Sequence, residues 1–206
     1  MKKLKKVLLS LMAAAISATS LCSVIPASAA TGKYNAYSYY FDVGENVCVQ
    51  KLSASMSYNP SNTAYVRSGN GNLGGYFNVT VTSNTISVNY SNSAPVSAAG
   101  YLGFVTIKTT ATPPPSFVIS QVTNATGTSI STSNVTVSRI LMGDVNLDGS
   151  VTQEDAELVN RAVLGKTTLN TTQQRAADVN GNGTVDATDS LNILKYVNGV
   201  IDCVVV

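Results

Sequence analysis

The 206 residues contain no His and no Trp, and only 12% are charged. Without His there is no Ser-His or Cys-His nucleophile pair, no imidazole base and no His-ligated zinc, which leaves carboxylate chemistry and hard-metal sites. The formal charge of +2 carries no basic nucleic-acid footprint.

The chain opens with Lys2, Lys3, Lys5 and Lys6, continues through an apolar run from Val7 to Ile16, and reaches a small-residue cleavage site at Ala27-Ser28-Ala29. This pattern predicts a secretory signal peptide over 1–30. The apolar run is too short to span a bilayer, no later stretch is apolar enough, and the bulky Leu21 before Cys22 does not suit a lipid anchor. The product is expected to be secreted and extracellular, with no membrane span. Removing the four signal lysines leaves a net charge of −2, unevenly divided. Residues 31–140 hold Lys33, Lys51, Arg67, Lys108 and Arg139 against Asp42 and Glu45, a net of +3, whereas residues 141–206 hold nine acids and four bases, a net of −5. Such asymmetry predicts two modules with different tasks.

Within 31–140, apolar residues alternate at Leu52, Ala54, Met56 and Tyr58, at Phe77, Val79 and Val81, at Ile86, Val88 and Tyr90, at Val105 and Ile107, and at Val135 and Val137. Period two marks half-buried strands. Turn formers separate them at 59–62, 68–72, 82–84 and 113–115, so the region is expected to be an all-β sandwich or barrel of jelly-roll kind. Tyr34, Tyr37, Tyr39, Tyr40 and Phe41 cluster near the mature N-terminus. If exposed, Tyr37, Tyr39 and Tyr40 would offer flat faces to sugar rings; otherwise they form a strand with alternate aromatics buried. Tyr76 and Tyr101 are isolated candidates of the same kind. Only Asp42 and Glu45 are acidic here, too close in sequence to straddle a glycosidase cleft, so no catalysis is expected. Cys48 and Cys203 survive cleavage, and an exported protein could join them. Unpaired, Cys48 is expected in the core and Cys203 in a loose tail.

Residues 143–200 change to helical spacing. Ala156, Val159 and Val163 predict a helix over 155–164, and Ile193 and Val197, with Leu194 beside them, predict one over 189–198. Gly165 and Gly199 stand at their C-terminal ends, and a shorter helix over 170–177 would take Asn170 as its N-cap. Two segments repeat at an offset of 34 residues, 144–155 and 178–189. With the helices that follow, eight of 22 aligned positions are identical, too many for two unrelated surface turns. Each segment has the pattern of a twelve-residue calcium loop. Asp144, Asn146 and Asp148 occupy positions 1, 3 and 5 of the first, and Asp178, Asn180 and Asn182 those of the second. Gly149 and Gly183 make the turn at position 6. Ser150 and Thr184 offer backbone carbonyls at position 7, and Thr152 and Asp186 act through water at position 9. Asp155 and Asp189 close the sites. Val151 and Val185 are expected to turn inward and stitch the loops together. Two Ca2+ ions are therefore expected.

The entering helix of an ordinary EF-hand is missing before Asp144, where Arg139-Ile140-Leu141-Met142 continues the β pattern. Loop then helix, twice, with a linking helix, resembles the dockerin modules of cellulosome-type assemblies, of type I kind, over 141–203. The resemblance implies folding on two calcium ions and docking to a cohesin module on a scaffold protein, which would hold the chain at the cell surface. It places partner contacts at Gln153, Glu154, Asn160 and Arg161 in the first repeat, and at Ala187, Thr188, Leu194 and Lys195 in the second. These sets differ, which argues against two equivalent binding orientations. The segments 52–60, 86–91 and 100–108 are similar to strands and corners of cohesins, over about 36–140. That resemblance implies a cohesin-like sandwich acting as an adaptor for a dockerin; the alternative is a carbohydrate-binding module that targets polysaccharide. The tail 204–206 is expected to pack against Ile140 and Leu141.

Overall fold

Strands form where one side chain in two meets a core, and eight of them run between Asn35 and Leu141. The computed structural model describes residues 33–205; residues 1–32, which include the expected signal peptide, and Val206 lie outside the described residues. The strands are β1 (Asn35–Val43), β2 (Val49–Ser57), β3 (Thr63–Asn70), β4 (Tyr76–Val81), β5 (Thr85–Val96), β6 (Gly100–Thr109), β7 (Val118–Thr123) and β8 (Val135–Leu141). Three helices follow: α1 (Gln153–Val163), α2 (Thr171–Ala177) and α3 (Ala187–Val197). All strand pairs are antiparallel and form two four-stranded sheets, β3-β6-β1-β8 and β4-β5-β2-β7. Tyr39, Phe41, Leu102 and Ile107 of the first sheet share one core with Leu52, Met56, Ile86 and Val88 of the second. This is the all-β sandwich expected from the alternation, followed by a small helical module.

Strands β3 and β7 carry no alternation in the sequence, and β1 is the strand with alternate aromatics buried that the tyrosine cluster allowed. In β1 both faces are covered: Tyr37, Tyr39, Phe41 and Val43 point into the sandwich, while Ala36, Ser38, Tyr40 and Asp42 point outward beneath the C-terminal module. The turn expected at 68–72 begins later, because Ser68, Gly69 and Asn70 are still in β3. Gly69 answers a close approach and not a turn, since a Cβ there would lie 2.7 Å from the Phe104 ring.

The helices begin two residues before the expected starts at 155 and 189, because Thr152 and Asp186 are their N-caps. Each sits three residues before an Asp whose carboxylate accepts a hydrogen bond from the cap amide, the reciprocal pattern of a capping box. Asn170 caps α2 as expected. Gly165 and Gly199 close α1 and α3 with paired bonds from 165 to Ala162 and 166 to Arg161, and from 199 to Tyr196 and 200 to Lys195. Ser190 donates to the Ala156 carbonyl at 3.0 Å in the buried contact between α1 and α3. Val163, expected on the apolar face, is 46% exposed, whereas its counterpart Val197 is half-buried.

The sandwich and the helical module belong to one compact unit. The Met142 amide donates to the Ala36 carbonyl and the Tyr34 amide to the Asp202 carbonyl, both at 2.8 Å. Cys203 forms a parallel bridge with Tyr34, so the chain end is built in. The expected burial of the two cysteines is reversed: both are free, Cys48 is exposed and Cys203 is buried, where desolvation raises its thiol pKa. Val204 and Val205 are also buried, but beside Met142 and Val145; Ile140 belongs to a separate cluster with Tyr40 and Ala176. The tail therefore packs differently from the expected contact with Ile140 and Leu141.

Candidate metal centre and docking face

An Asx side chain can bond to a backbone amide two residues on, which curls a loop around the side-chain oxygens. Loop 144–155 is built in this way. Asp144 accepts from the amides of Asp148 and Gly149 at 3.0 and 2.9 Å, Asn146 from Asp148 at 3.0 Å, and Asp148 from Ser150 at 2.9 Å. Loop 178–189 repeats the arrangement. Asp178 accepts from Gly181, Asn182 and Gly183 at 2.8, 3.1 and 3.0 Å, Asn180 from Asn182 at 2.9 Å, and Asn182 from Thr184 at 2.8 Å. Gly149 and Gly183 adopt φ of 93° and 84°, which a side chain would strain.

The closing carboxylates tie each loop to its helix. Asp155 is fully buried; one oxygen accepts from the Val145 and Asn146 amides at 2.8 and 3.0 Å, and the other from the Thr152 amide at 2.8 Å. Asp189 is also fully buried and accepts from the Asn180 and Asp186 amides at 3.2 and 3.0 Å. Burial raises the carboxyl pKa of Asp144 and of Asp189 above the usual range. Thr188, whose amide lies 2.6 Å from Asp186, holds that carboxyl below it. Such groups attract a cation that would share their charge. The donors are oxygens only, carboxylate, amide and carbonyl, which is the set a hard cation such as calcium takes. Among the described residues no three His, Cys, Asp or Glu side chains converge at metal-holding spacing. Asn146, Asn180 and Asn182 occupy ligand positions that acids hold in more charged loops, so carbonyl oxygens carry much of each donor set. Val151 and Val185 are half-buried against the module's core, with no β-bridge between them.

The residues assigned to partner contact divide by repeat. Gln153, Glu154, Asn160 and Arg161 on α1 are exposed, as are Ala187 and Thr188 at the start of α3. Leu194 and Lys195 are half-buried, with Leu194 packed against the module's core. The sandwich covers this end of α3: Lys33 donates to the Val197 carbonyl at 3.1 Å, and Tyr196 donates to Asn35 at 3.2 Å. The corresponding end of α1 is bare, with Leu164 67% exposed.

Of the tyrosines considered for sugar stacking, Tyr39 and Tyr40 are buried, and desolvation pushes both phenols up to about 12. The Tyr39 hydroxyl donates to the Pro115 carbonyl, and the Tyr40 ring lies under the Arg175 guanidinium, 4.1 Å away. Neither offers a free face; Tyr37 is half-buried, with Arg139 over its ring. Asp42 is bonded to Arg175 at 3.0 and 3.3 Å. The sequence reading missed this seam between modules, formed by Arg67, Asp42 and Arg175. One sequence signal is charge, two arginines and an acid where no motif requires them.

Residues 142–198 match the family described as dockerin type I domain, a non-catalytic docking domain. Among solved structures, a chain from the complex of the third ScaC cohesin with a ScaB dockerin of Acetivibrio cellulolyticus, mutated in its N-terminal helix, is 39% identical. It covers 30% of this chain and 88% of its own, with a TM-score of 0.29. The corresponding complex mutated in the C-terminal helix is 41% identical over 29% and 84%, with a TM-score of 0.28. A non-cellulosomal cohesin from Archaeoglobus fulgidus is 18% identical over 48% of this chain and 75% of its own, with a TM-score of 0.39. No curated protein matches the chain. Among the described residues, no helix is long and apolar enough to cross a membrane.

Proposed function

We propose that the chain is a secreted, non-catalytic docking component of a polysaccharide-degrading assembly of cellulosome or amylosome type. Its module 141–203 holds two calcium ions and presents α1 and α3 to a cohesin on a scaffold protein at the cell surface. Asp144, Asn146, Asp148, the Ser150 carbonyl and Asp155 hold one ion. Asp178, Asn180, Asn182, the Thr184 carbonyl, Asp189 and, through water, Asp186 hold the other. Calcium supplies positive charge that neutralises the clustered carboxylates. The chain's own residues do the rest. Asp155 and Asp189 join each loop to the first turn of the helix that follows, so ordering a loop also fixes the helix that meets the partner. The observation that carries this reading is the bonding of each buried closing carboxylate to amides of its own loop. The dockerin family match and the exposure of Gln153, Glu154, Asn160 and Arg161 support it.

The test is retention of the full chain on an immobilised cohesin of the type I interaction. Retention in calcium, its loss in EGTA, and at least about tenfold weaker binding of Arg161→Glu are expected, since a reversed charge at a contact costs more than 1.4 kcal/mol. Equal retention in EGTA would contradict the reading.

For the sandwich, 31–140, we propose an adaptor role in which a cohesin-like surface receives a second dockerin. The sequence resemblance over 36–140 and the two-sheet architecture support it. Its acids give no support to catalysis, since Asp42 is held by Arg175. Carbohydrate binding is the second reading, favoured by Tyr76, which is 79% exposed beside Asn78 and Asn89 in a shallow surface pocket. A dockerin panel run beside starch and cellulose, with Tyr76→Ala as the variant, separates the two. Dockerin capture supports the adaptor; polysaccharide retention lost in Tyr76→Ala supports the sugar site.

A further inference from the structure

We infer that Arg67, on strand β3 of the sandwich, is a positioning residue for the second calcium loop, so that ion binding at 178–189 depends on the sandwich while ion binding at 144–155 does not. The inference rests on the calcium reading above. Arg67 reaches out of its sheet and donates through both terminal nitrogens to the backbone carbonyls of Val179 and Asp178, each at 3.3 Å. Asp178 is the first ligand position of the loop, so the fork fixes the backbone from which that carboxylate projects. Loop 144–155 receives no bond of this kind among the described residues; its outside support is Gln173 donating to the Val145 carbonyl at 3.1 Å, from within the same module.

Position 4 of the two loops records the same asymmetry. It is Leu147 in the first and Gly181 in the second, and both are left-handed, with φ of 66° and 73°. The first loop therefore shows that a side chain is tolerated on this backbone. In the second loop a Cβ on Gly181 would lie 2.4 Å from the Arg67 guanidinium carbon and from one of its terminal nitrogens. A side chain here would have to displace the Arg67 guanidinium, in addition to straining the left-handed backbone. Groups outside the ligand set that orient a metal's ligands commonly change its affinity by about 10- to 100-fold when removed.

The experiment uses the full 15N-labelled chain and a calcium titration read at the Gly149 and Gly183 amides, one reporter in each loop. Arg67→Ala is expected to weaken calcium about tenfold at Gly183 and to leave Gly149 within about twofold. Arg67→Lys, which keeps the charge and loses the fork, is expected to fall between. A second readout needs no calcium: in EGTA, Gly181→Ala lowers the melting temperature of the unaltered chain and lowers it less in the Arg67→Ala background. Unchanged or tighter binding at Gly183 in Arg67→Ala, or equal weakening at both glycines, overturns the inference while the calcium reading stands. If neither glycine of the unaltered chain responds to calcium, the reading and the inference fall together.

Discussion

Sheet β4-β5-β2-β7 meets water on its outer face, and β2 shows it: Leu52, Ala54 and Met56 are buried, while Ser55 and Ser57 between and beyond them are exposed. Sheet β3-β6-β1-β8 carries the helical module on its outer face, and β1 is buried almost without interruption from Ala36 to Val43. Alternation in a sequence reports a strand with one wet face. Once a second layer covers that face, the outward positions become small or apolar and the period disappears. Ala36, Ser38 and Tyr40 are such positions, and the buried Ser38 satisfies its hydroxyl on Thr106 at 2.7 Å.

The sharpest way to break this contrast is to put a charge on each outer face. Ala36→Asp places a carboxylate where the residue is fully buried beside Met142. It is expected to cost roughly 4 kcal/mol in urea unfolding, as an unpaired charge without water does. Ser53→Asp on the bare sheet should stay within about 0.5 kcal/mol. Equal effects would show that the module does not cover the first sheet in solution. A smaller effect is expected of Arg175→Ala, which loses the pair with Asp42 and the stacking over Tyr40 and Tyr101. The pair is partly exposed, so a loss of about 1–2 kcal/mol is expected, and raising salt should reduce the difference between this variant and the unaltered chain. The smallest effect belongs to Val118→Ser on β7, 67% exposed, expected below about 0.5 kcal/mol by the same unfolding measurement.

How much could be read in advance follows the same division. The loops were legible because the calcium-loop pattern sets residue types at fixed local spacing, from Asp144 to Asp155 and from Asp178 to Asp189. The helix starts were legible as well, in Thr152 followed three residues later by Asp155, and Asp186 by Asp189. They were placed two residues late because Thr152 and Asp186 were read only as loop positions. The seam was not legible. Arg67 meets Val179 across 112 residues of sequence, and nothing local to β3 announces it. Cys203 looked like a loose end because the Tyr34 backbone that anchors it lies far away in the sequence. The change from Leu147 to Gly181 at equivalent positions leaves room for the Arg67 guanidinium, a trace of the seam that only the structure explains.

Differential scanning calorimetry of residues 31–206, in calcium and in EGTA, decides whether the calcium loops and the sandwich unfold as one body. A single transition for sandwich and module together, displaced upward by calcium, is expected; each ion at a hundred times its Kd adds about 2.7 kcal/mol. A melting profile identical in calcium and EGTA, or two transitions of which only the smaller moves, would contradict this expectation.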